Sequence, residues 1–168
     1  VLTLGPWSGP LAAKLGITTP LESERGYHIE FVNPSITLRN SVMVTSGKFA
    51  MHSMTGRLRC AGMVEFGGLD AAPSKAPFDL LRRQVKALFP DLTYDRVDEW
   101  MGHRPSTPDS LPVIGTAPRA DNLTLGYGHQ HVGLTAGPKT GRWLAQIASG
   151  RGPNTDLAAF SPGRSTRP

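Results

Sequence analysis

Four short segments of alternating apolar residues, separated by turn signals, most constrain what this chain can fold into. Apolar residues recur at every second position, which is the period of a strand with one buried face. Asn-Pro, Ser-Gly and Thr-Gly pairs between the segments favour reversals of the chain. The pattern predicts an antiparallel sheet from about Gly26 to Phe66. The segments are "GYHIEFVN", "SITLRNSVMVT", "KFAMHSMT" and "RLRCAGMVEF".

Helical patterns lie on both sides of this block. "SGPLAAKLG", Ser8 to Gly16, has a serine cap, an early proline and a glycine stop, and it follows an apolar run that predicts a strand. "APFDLLRRQVKALFP", Ala76 to Pro90, has its apolar residues on one helical face, so we expect it to pack on the sheet. Two more strands and a last helix are predicted from "DRVDEWMGHR", "NLTLGYG" and "GLTAGPKTGRWLAQIASG".

The order of these segments predicts the fold class. α/β segments at the two ends enclose an antiparallel sheet with one packing helix, so we expect mixed α+β and α/β character and two structural regions crossed by one chain. The chain opens without methionine, inside the apolar run "VLTLGPWS". We therefore expect a truncated fragment of a longer protein.

Composition and charge argue against several classes of function. The net charge is +5 over 168 residues, but the basic residues are scattered, and Arg164 and Arg167 lie in a polar tail, so no nucleic-acid partner is predicted. The one cysteine, Cys60, is predicted to be a small apolar strand residue. No apolar run reaches the roughly 20 residues of a membrane span, and no signal peptide is recognisable. We expect a cytoplasmic protein.

A glycine-rich loop precedes the last predicted helix. Gly126, Gly128 and Gly133 lead into a helix that is expected to start near Leu134 or Thr135. Free backbone N–H groups and the positive end of the helix dipole then favour a ligand with negative charge or a polarised carbonyl. A flexible turn between strand and helix is the alternative interpretation.

Two histidines and one arginine are candidate ligand-binding residues. His129 and His131 suit hydrogen bonding in a pocket, although a structural role is an alternative, and no third metal ligand with recognised spacing accompanies them. Arg104 lies between an aromatic-bearing strand and a rigid proline turn. Its planar guanidinium suits bidentate contact with a carboxylate, and a surface role is the alternative.

Four stretches, taken in order, resemble the C-terminal part of the FAD-dependent D-amino acid oxidase and dehydrogenase family. The resemblance covers nearly the whole chain, and the "ERGYH" variant is similar to bacterial D-amino acid dehydrogenases. The stretches are "VLTLGPWSGPLAAKLG", "PLESERGYH", "WMGHRPSTPDSLPVIG" and "NLTLGYGHQHVGLTAGPKTGRWLAQIASG".

The resemblance implies a flavoprotein that oxidises D-amino acids to imino acids by hydride transfer to FAD. It implies an antiparallel substrate-binding region with a packing helix, residues 21–103, flanked by pieces of a Rossmann-like FAD-binding domain at 1–20 and 104–168. The electron acceptor is oxygen or a quinone, and peripheral association with the inner membrane is an option for dehydrogenases of this type.

The resemblance also assigns site residues by position. Arg104 matches the arginine that binds the substrate carboxylate, His131 lies beside the substrate, and Tyr27 and His28 are expected to approach it. No side chain is assigned as a catalytic acid or base, and no metal is implied. The positions that match flavin-contacting residues are Gly5, Trp7, His129, Val132, Gly133, Leu134 and Thr135.

One departure from the family is large. No G-x-G-x-x-G motif follows a strand, so the elements that hold the FAD pyrophosphate and adenosine are missing. We expect this chain alone to bind FAD weakly or not at all and to be inactive. Alternative interpretations are a sarcosine-, glycine- or hydroxyproline-type amine oxidase, or a non-catalytic binding module that dimerises through exposed surface.

Overall fold

The computed structural model describes residues 1–164, so the predicted tail residue Arg167 lies outside the described part of the chain. The helices and strands alternate irregularly along the sequence. The α-helices are α1 (Ser8–Lys14), α2 (Lys75–Leu88) and α3 (Gly133–Ala148). The strands are β1 (Glu22–Val32), β2 (Val42–Val44), β3 (Phe49–Met54), β4 (Arg57–Phe66), β5 (Arg96–Ser106), β6 (Val113–Ala117) and β7 (Ala120–Tyr127).

The chain divides into two compact units. One contains Val1–Glu24 and the chain from His103 onward, and the other contains Arg25–Gly102. Both changes of unit therefore fall inside long strands, β1 and β5.

The unit Arg25–Gly102 is built on a five-stranded sheet with the order β2-β3-β4-β1-β5. β2, β3 and β4 pair in antiparallel fashion. The apolar face of α2, formed by Phe78, Leu81 and Val85, is buried in the same core as the strand residues, as the helical spacing of these residues requires. The expected antiparallel sheet with one packing helix is confirmed.

The other unit contains a two-stranded antiparallel sheet, β6 and β7, with α3 packed on both strands. Its core includes Leu2, Leu125 and Tyr127. The opening run does not form the strand that we predicted, because only Leu2 pairs, in a single parallel bridge with Leu125. β6 was not predicted, since five residues after a proline turn give too short a pattern.

Arg164, which we predicted to lie in a polar tail, is held by several contacts in its own unit. Arg164 makes a bidentate ion pair with Asp109, with Nε to Oδ2 2.6 Å and Nη2 to Oδ1 3.1 Å. It also donates to the carbonyls of Leu111 and Phe160. These bonds lower the pKa of Asp109 to about 2, because the guanidinium stabilises the charged carboxylate.

We expect Asp109→Asn to lower the melting temperature at pH 7 and to lose this effect in acid. A carboxyl with a lowered folded-state pKa stabilises the fold above its ordinary pKa, and this contribution is lost as pH falls from about 4 towards about 2. Thermal melts of wild type and variant at pH 7, 4 and 2.5 measure the change. Asp121→Asn, an exposed change on β7, is the control, and an equal loss in both variants would contradict the prediction.

Candidate functional site

The loop between β7 and α3 is shaped by a glycine. Gly128 has φ +85°, which side-chain-bearing residues rarely adopt, and a Cβ there would lie 3.1 Å from the Thr107 methyl group. The chain then makes a short 3-10 turn, Gln130–Val132, before α3 starts at Gly133. The loop predicted from glycine spacing therefore leads into a helix start.

The first turn of α3 presents free hydrogen-bond donors. Its N-cap, Val132, provides no side-chain cap, and no acidic residue lies in the first turn. The backbone N–H groups at Gly133, Leu134 and Thr135 are thus available to a ligand, with the positive helix end behind them. Leu134 is 98% exposed and Val132 is half-exposed.

A second glycine turn, at Gly5, lies at the same end of this unit as the loop after β7. Leu2 accepts a hydrogen bond from the N–H of Gly126 and donates to Thr124 in a parallel bridge. Residues after Leu2 and residues after β7 therefore emerge at the same end. The first of these is the turn at Gly5, with φ +56°, followed by Trp7, which is 55% exposed.

Arg104 belongs to a cluster of polar side chains centred on Glu24, a residue that the sequence did not single out. Its Nη1 lies 3.3 Å from Oε1 of Glu24, and Nε2 of His131 lies 2.5 Å from the same oxygen. The Oγ of Ser106 donates to Oε2 at 2.9 Å. The structure thus brings together two of the predicted substrate residues through one carboxylate.

The Glu24 carboxylate is held in its charged form. Burial alone raises its pKa, but hydrogen bonds from His131 and Ser106, with the charges of His131 and Arg104, outweigh that effect and leave the pKa below its usual value. Glu24 is 12% exposed and Arg104 is 33% exposed. Within residues 1–164, Nε and Nη2 of Arg104 make no hydrogen bond.

His129 has a defined partner inside its own unit. Its Nε2 lies 2.9 Å from Oγ1 of Thr140 in α3, which ties the loop to the helix. Burial lowers the pKa of His129, because a buried imidazole is less easily charged. His129 is therefore a neutral residue that supports the loop, and its predicted contact with flavin stays a prediction.

Tyr27 and His28 lie in the other unit, and their polar atoms are occupied there. Tyr27 is buried, and its hydroxyl donates to Glu65 at 2.5 Å and accepts from the N–H of Ser74. The proposed site does not use Tyr27, and its approach to a substrate stays a prediction.

His28 stacks on Trp100 at 4.9 Å, and its ring nitrogens face Arg59 and Glu30. Burial and the charge of Arg59 lower its pKa, so the ring is neutral near pH 7. These contacts give His28 a structural role inside the sheet, and its approach to a substrate stays a prediction.

The described residues support neither a cysteine nucleophile nor a metal site. Cys60 is buried in β4, and burial raises its pKa to about 12, so it is a core residue and not a nucleophile. Residues 1–164 contain no group of three His, Cys, Asp or Glu side chains that could hold a metal ion. Over the same residues, no helix combines the length and apolar character that a membrane crossing requires.

Comparison with known proteins identifies the class. Residues 1–147 match the model of a family described as FAD dependent oxidoreductase. A D-amino-acid oxidase of Bradyrhizobium diazoefficiens is 42% identical over 168 residues, covering 98% of this chain and 40% of that protein. A glycine oxidase of Pseudomonas aeruginosa is 32% identical, covering 96% of this chain and 44% of that protein.

A solved structure agrees with these matches. Glycine oxidase from Geobacillus kaustophilus superposes with a TM-score of 0.80 at 27% identity, covering 95% of this chain and 44% of that one. The matches define the class as that of the FAD-dependent oxidoreductases. The chain belongs to the FAD-dependent oxidoreductase family, which confirms the resemblance carried by its four motifs. It spans about two fifths of the length of the curated relatives it matches.

The residues present fit one part of a flavin site. An uncapped helix start without acidic residues suits a ring edge that becomes negative on reduction, and the Gly5 turn leaves the same edge of the unit. Gly133, Leu134 and Thr135, with Val132 and Trp7, would hold this part. The sequence contains no G-x-G-x-x-G motif for the pyrophosphate, so the FAD site in this chain is incomplete.

Proposed function

We propose that this chain supplies the substrate carboxylate site and the flavin-facing helix start of a flavoprotein that oxidises D-amino acids to imino acids. One observation carries the proposal. Arg104 and His131 meet on Glu24, and His131 lies two positions before Gly133, the first residue of α3. A carboxylate-binding arginine is thus linked, within one unit, to the helix start that suits a flavin.

The proposed chemistry needs orientation more than proton transfer. When bound, FAD would supply the acceptor for the hydride that leaves the substrate Cα, and the neutral amine would become a protonated imine, which loses its proton to water. Arg104 binds the substrate carboxylate through Nε and Nη2, which fixes the position of Cα. The N-terminus of α3 stabilises negative charge where it develops. No side chain in residues 1–164 needs to act as a general base.

We assign the two units to different roles. The unit with residues 1–24 and 103 onward carries the glycine turns and the uncapped helix, which supports a role in the FAD-binding domain. The substrate-binding role that the family resemblance implies falls on the unit Arg25–Gly102, which contains the antiparallel sheet, while the proposed carboxylate ligand Arg104 lies in the first unit.

A second candidate is oxidation of glycine or a secondary amine such as sarcosine or hydroxyproline. The similarity to two glycine oxidases favours it. Arg104 recognises a carboxylate and not the rest of the substrate, so both candidates use the same site.

The test is a flavin titration followed by anaerobic reduction with D-amino acids, glycine, sarcosine and hydroxyproline. We expect the full-length form of the protein to bind FAD and to be bleached by D-amino acids, and the 168-residue chain alone to bind FAD weakly or not at all. Bleaching only by glycine or secondary amines would favour the second candidate. A full-length form without flavin affinity would contradict both. Reoxidation by oxygen or by a soluble quinone then identifies the electron acceptor.

A further inference from the structure

We propose that Glu24 is a positioning residue that fixes Arg104 and His131 in one arrangement for the substrate carboxylate. The inference rests on the proposed function, because it concerns the same carboxylate site. It adds a residue that matches none of the positions assigned from the family resemblance.

The carboxylate of Glu24 is a shared acceptor. One oxygen, Oε1, accepts from His131 at 2.5 Å and lies 3.3 Å from Nη1 of Arg104, while Oε2 accepts from Ser106 at 2.9 Å. With 12% exposure, the side chain has little freedom to rotate, and breaking one bond would leave a buried charge less satisfied. Glu24 is therefore a fixed point in the cluster.

Arg104 needs such a fixed point. Its side chain is one-third exposed, and a long, rotamer-rich side chain loses entropy when a ligand orders it. Because Nη1 is already engaged, the guanidinium is oriented before substrate binds, and among residues 1–164 nothing occupies Nε and Nη2, which can make a bidentate contact. Glu24 thus lowers the entropic cost of binding a carboxylate.

Considered by its charge alone, Glu24 is expected to weaken the binding of a substrate carboxylate by Arg104. A carboxylate next to Arg104 cancels part of its positive charge and repels an anionic substrate. If Glu24 mainly competes with the substrate, its removal tightens carboxylate binding. If it positions the guanidinium, removal weakens binding. The sign of the change separates these explanations.

The experiment compares Glu24→Ala and Glu24→Gln in the FAD-bound full-length form of the protein. Acetate, which has no amine or hydroxyl to oxidise, is an unreactive probe, and its Kd is measured by isothermal titration calorimetry, beside KM and kcat for the best amino acid. We expect Glu24→Ala to raise Kd and KM about tenfold, with kcat changed much less. Glu24→Gln keeps the shape and one acceptor oxygen, so we expect a smaller increase in the same direction.

The control is Glu22→Gln, which removes the same charge from the same strand. Glu22 is exposed and accepts only from the N–H of Ser23 among the described residues, so we expect unchanged Kd values. Suppose that both Glu24 variants bind the probe as tightly as wild type or more tightly, while Arg104→Ala no longer binds it. That result would overturn the role of Glu24 and leave the role of Arg104 intact. Absence of carboxylate binding in a flavin-loaded wild type would overturn both this role and the proposed site. Should Glu24→Ala not fold, Glu24→Gln decides by the same sign.

Discussion

Arg25→Met is expected to lower the free energy of unfolding by about 3 kcal/mol, the scale of breaking a buried ion pair. Arg25 is 2% exposed, and its Nη2 donates to the carbonyls of Ala71 and Ala72 at 2.9 and 2.6 Å. Its Nη1 lies 3.3 Å from the carboxylate of Glu65. Methionine fills similar space but provides no donor, so the carbonyls lose their partners and the loop before α2 loses its anchor.

Chemical denaturation of the variant and wild type measures this loss as a shift of the midpoint. Arg39→Met is the matched control, because Arg39 is exposed and makes no ion pair or side-chain hydrogen bond within residues 1–164. Arg25→Lys keeps the charge but not the planar fork, so we expect about half of the loss. A stability of Arg25→Met equal to that of the Arg39 variant would contradict the anchoring role.

The sequence predicted elements whose signals are local. α2 has apolar residues at helical spacing and ends before a proline, and the structure places it at Lys75–Leu88. The alternating segments became β1, β3 and β4 in one sheet. "SITLRNSVMVT" was wrong in extent, because only Val42–Val44 pairs with β3. The local pattern thus identified where a strand could form. The extent of pairing with the neighbouring strand β3 set the length of the strand.

The residues that sequence reasoning missed depend on distant partners. Glu24 and Arg25 stand in the charged string "ESER", which is typical of an exposed strand. Both are largely or fully buried. Their partners, such as Arg104 for Glu24 and Ala72 for Arg25, lie far along the chain. A buried carboxylate or guanidinium is stable only when such partners exist. Charge pattern along one sequence contains no record of them.

Some site residues were predicted from local sequence signals, and others were assigned only from the family resemblance. Glycine spacing and helix signals predicted a turn followed by a helix start near Leu134 or Thr135, and the structure provides the turn at Gly128 and an uncapped helix that starts at Gly133. Tyr27 was assigned by position, but the structure buries it and satisfies its hydroxyl. Position in a family motif identifies where the backbone runs. Whether a side chain faces a ligand depends on the packing around it.

Arg104→Ala is expected to raise KM for the amino acid, and Kd for acetate, about 100-fold in the FAD-bound holoenzyme. Loss of a charge-assisted bidentate contact costs roughly 2–4 kcal/mol, and each 1.4 kcal/mol is tenfold. Within residues 1–164, Nε and Nη2 of Arg104 are without hydrogen bonds, so they can make this contact. Arg104→Lys keeps a charge near Glu24 but loses the planar fork, and we expect about a tenfold increase.

The matched control is Arg96→Ala on the same strand, since Arg96 is exposed and pairs with Asp98. We expect its KM and Kd to equal those of wild type. Both arginine variants should bind FAD as wild type does, because neither side chain belongs to the proposed flavin-contacting set. An unchanged acetate Kd in Arg104→Ala would refute its assignment as the carboxylate ligand. A loss of FAD binding in that variant would instead place Arg104 in the support of the flavin loop, through Glu24 and His131.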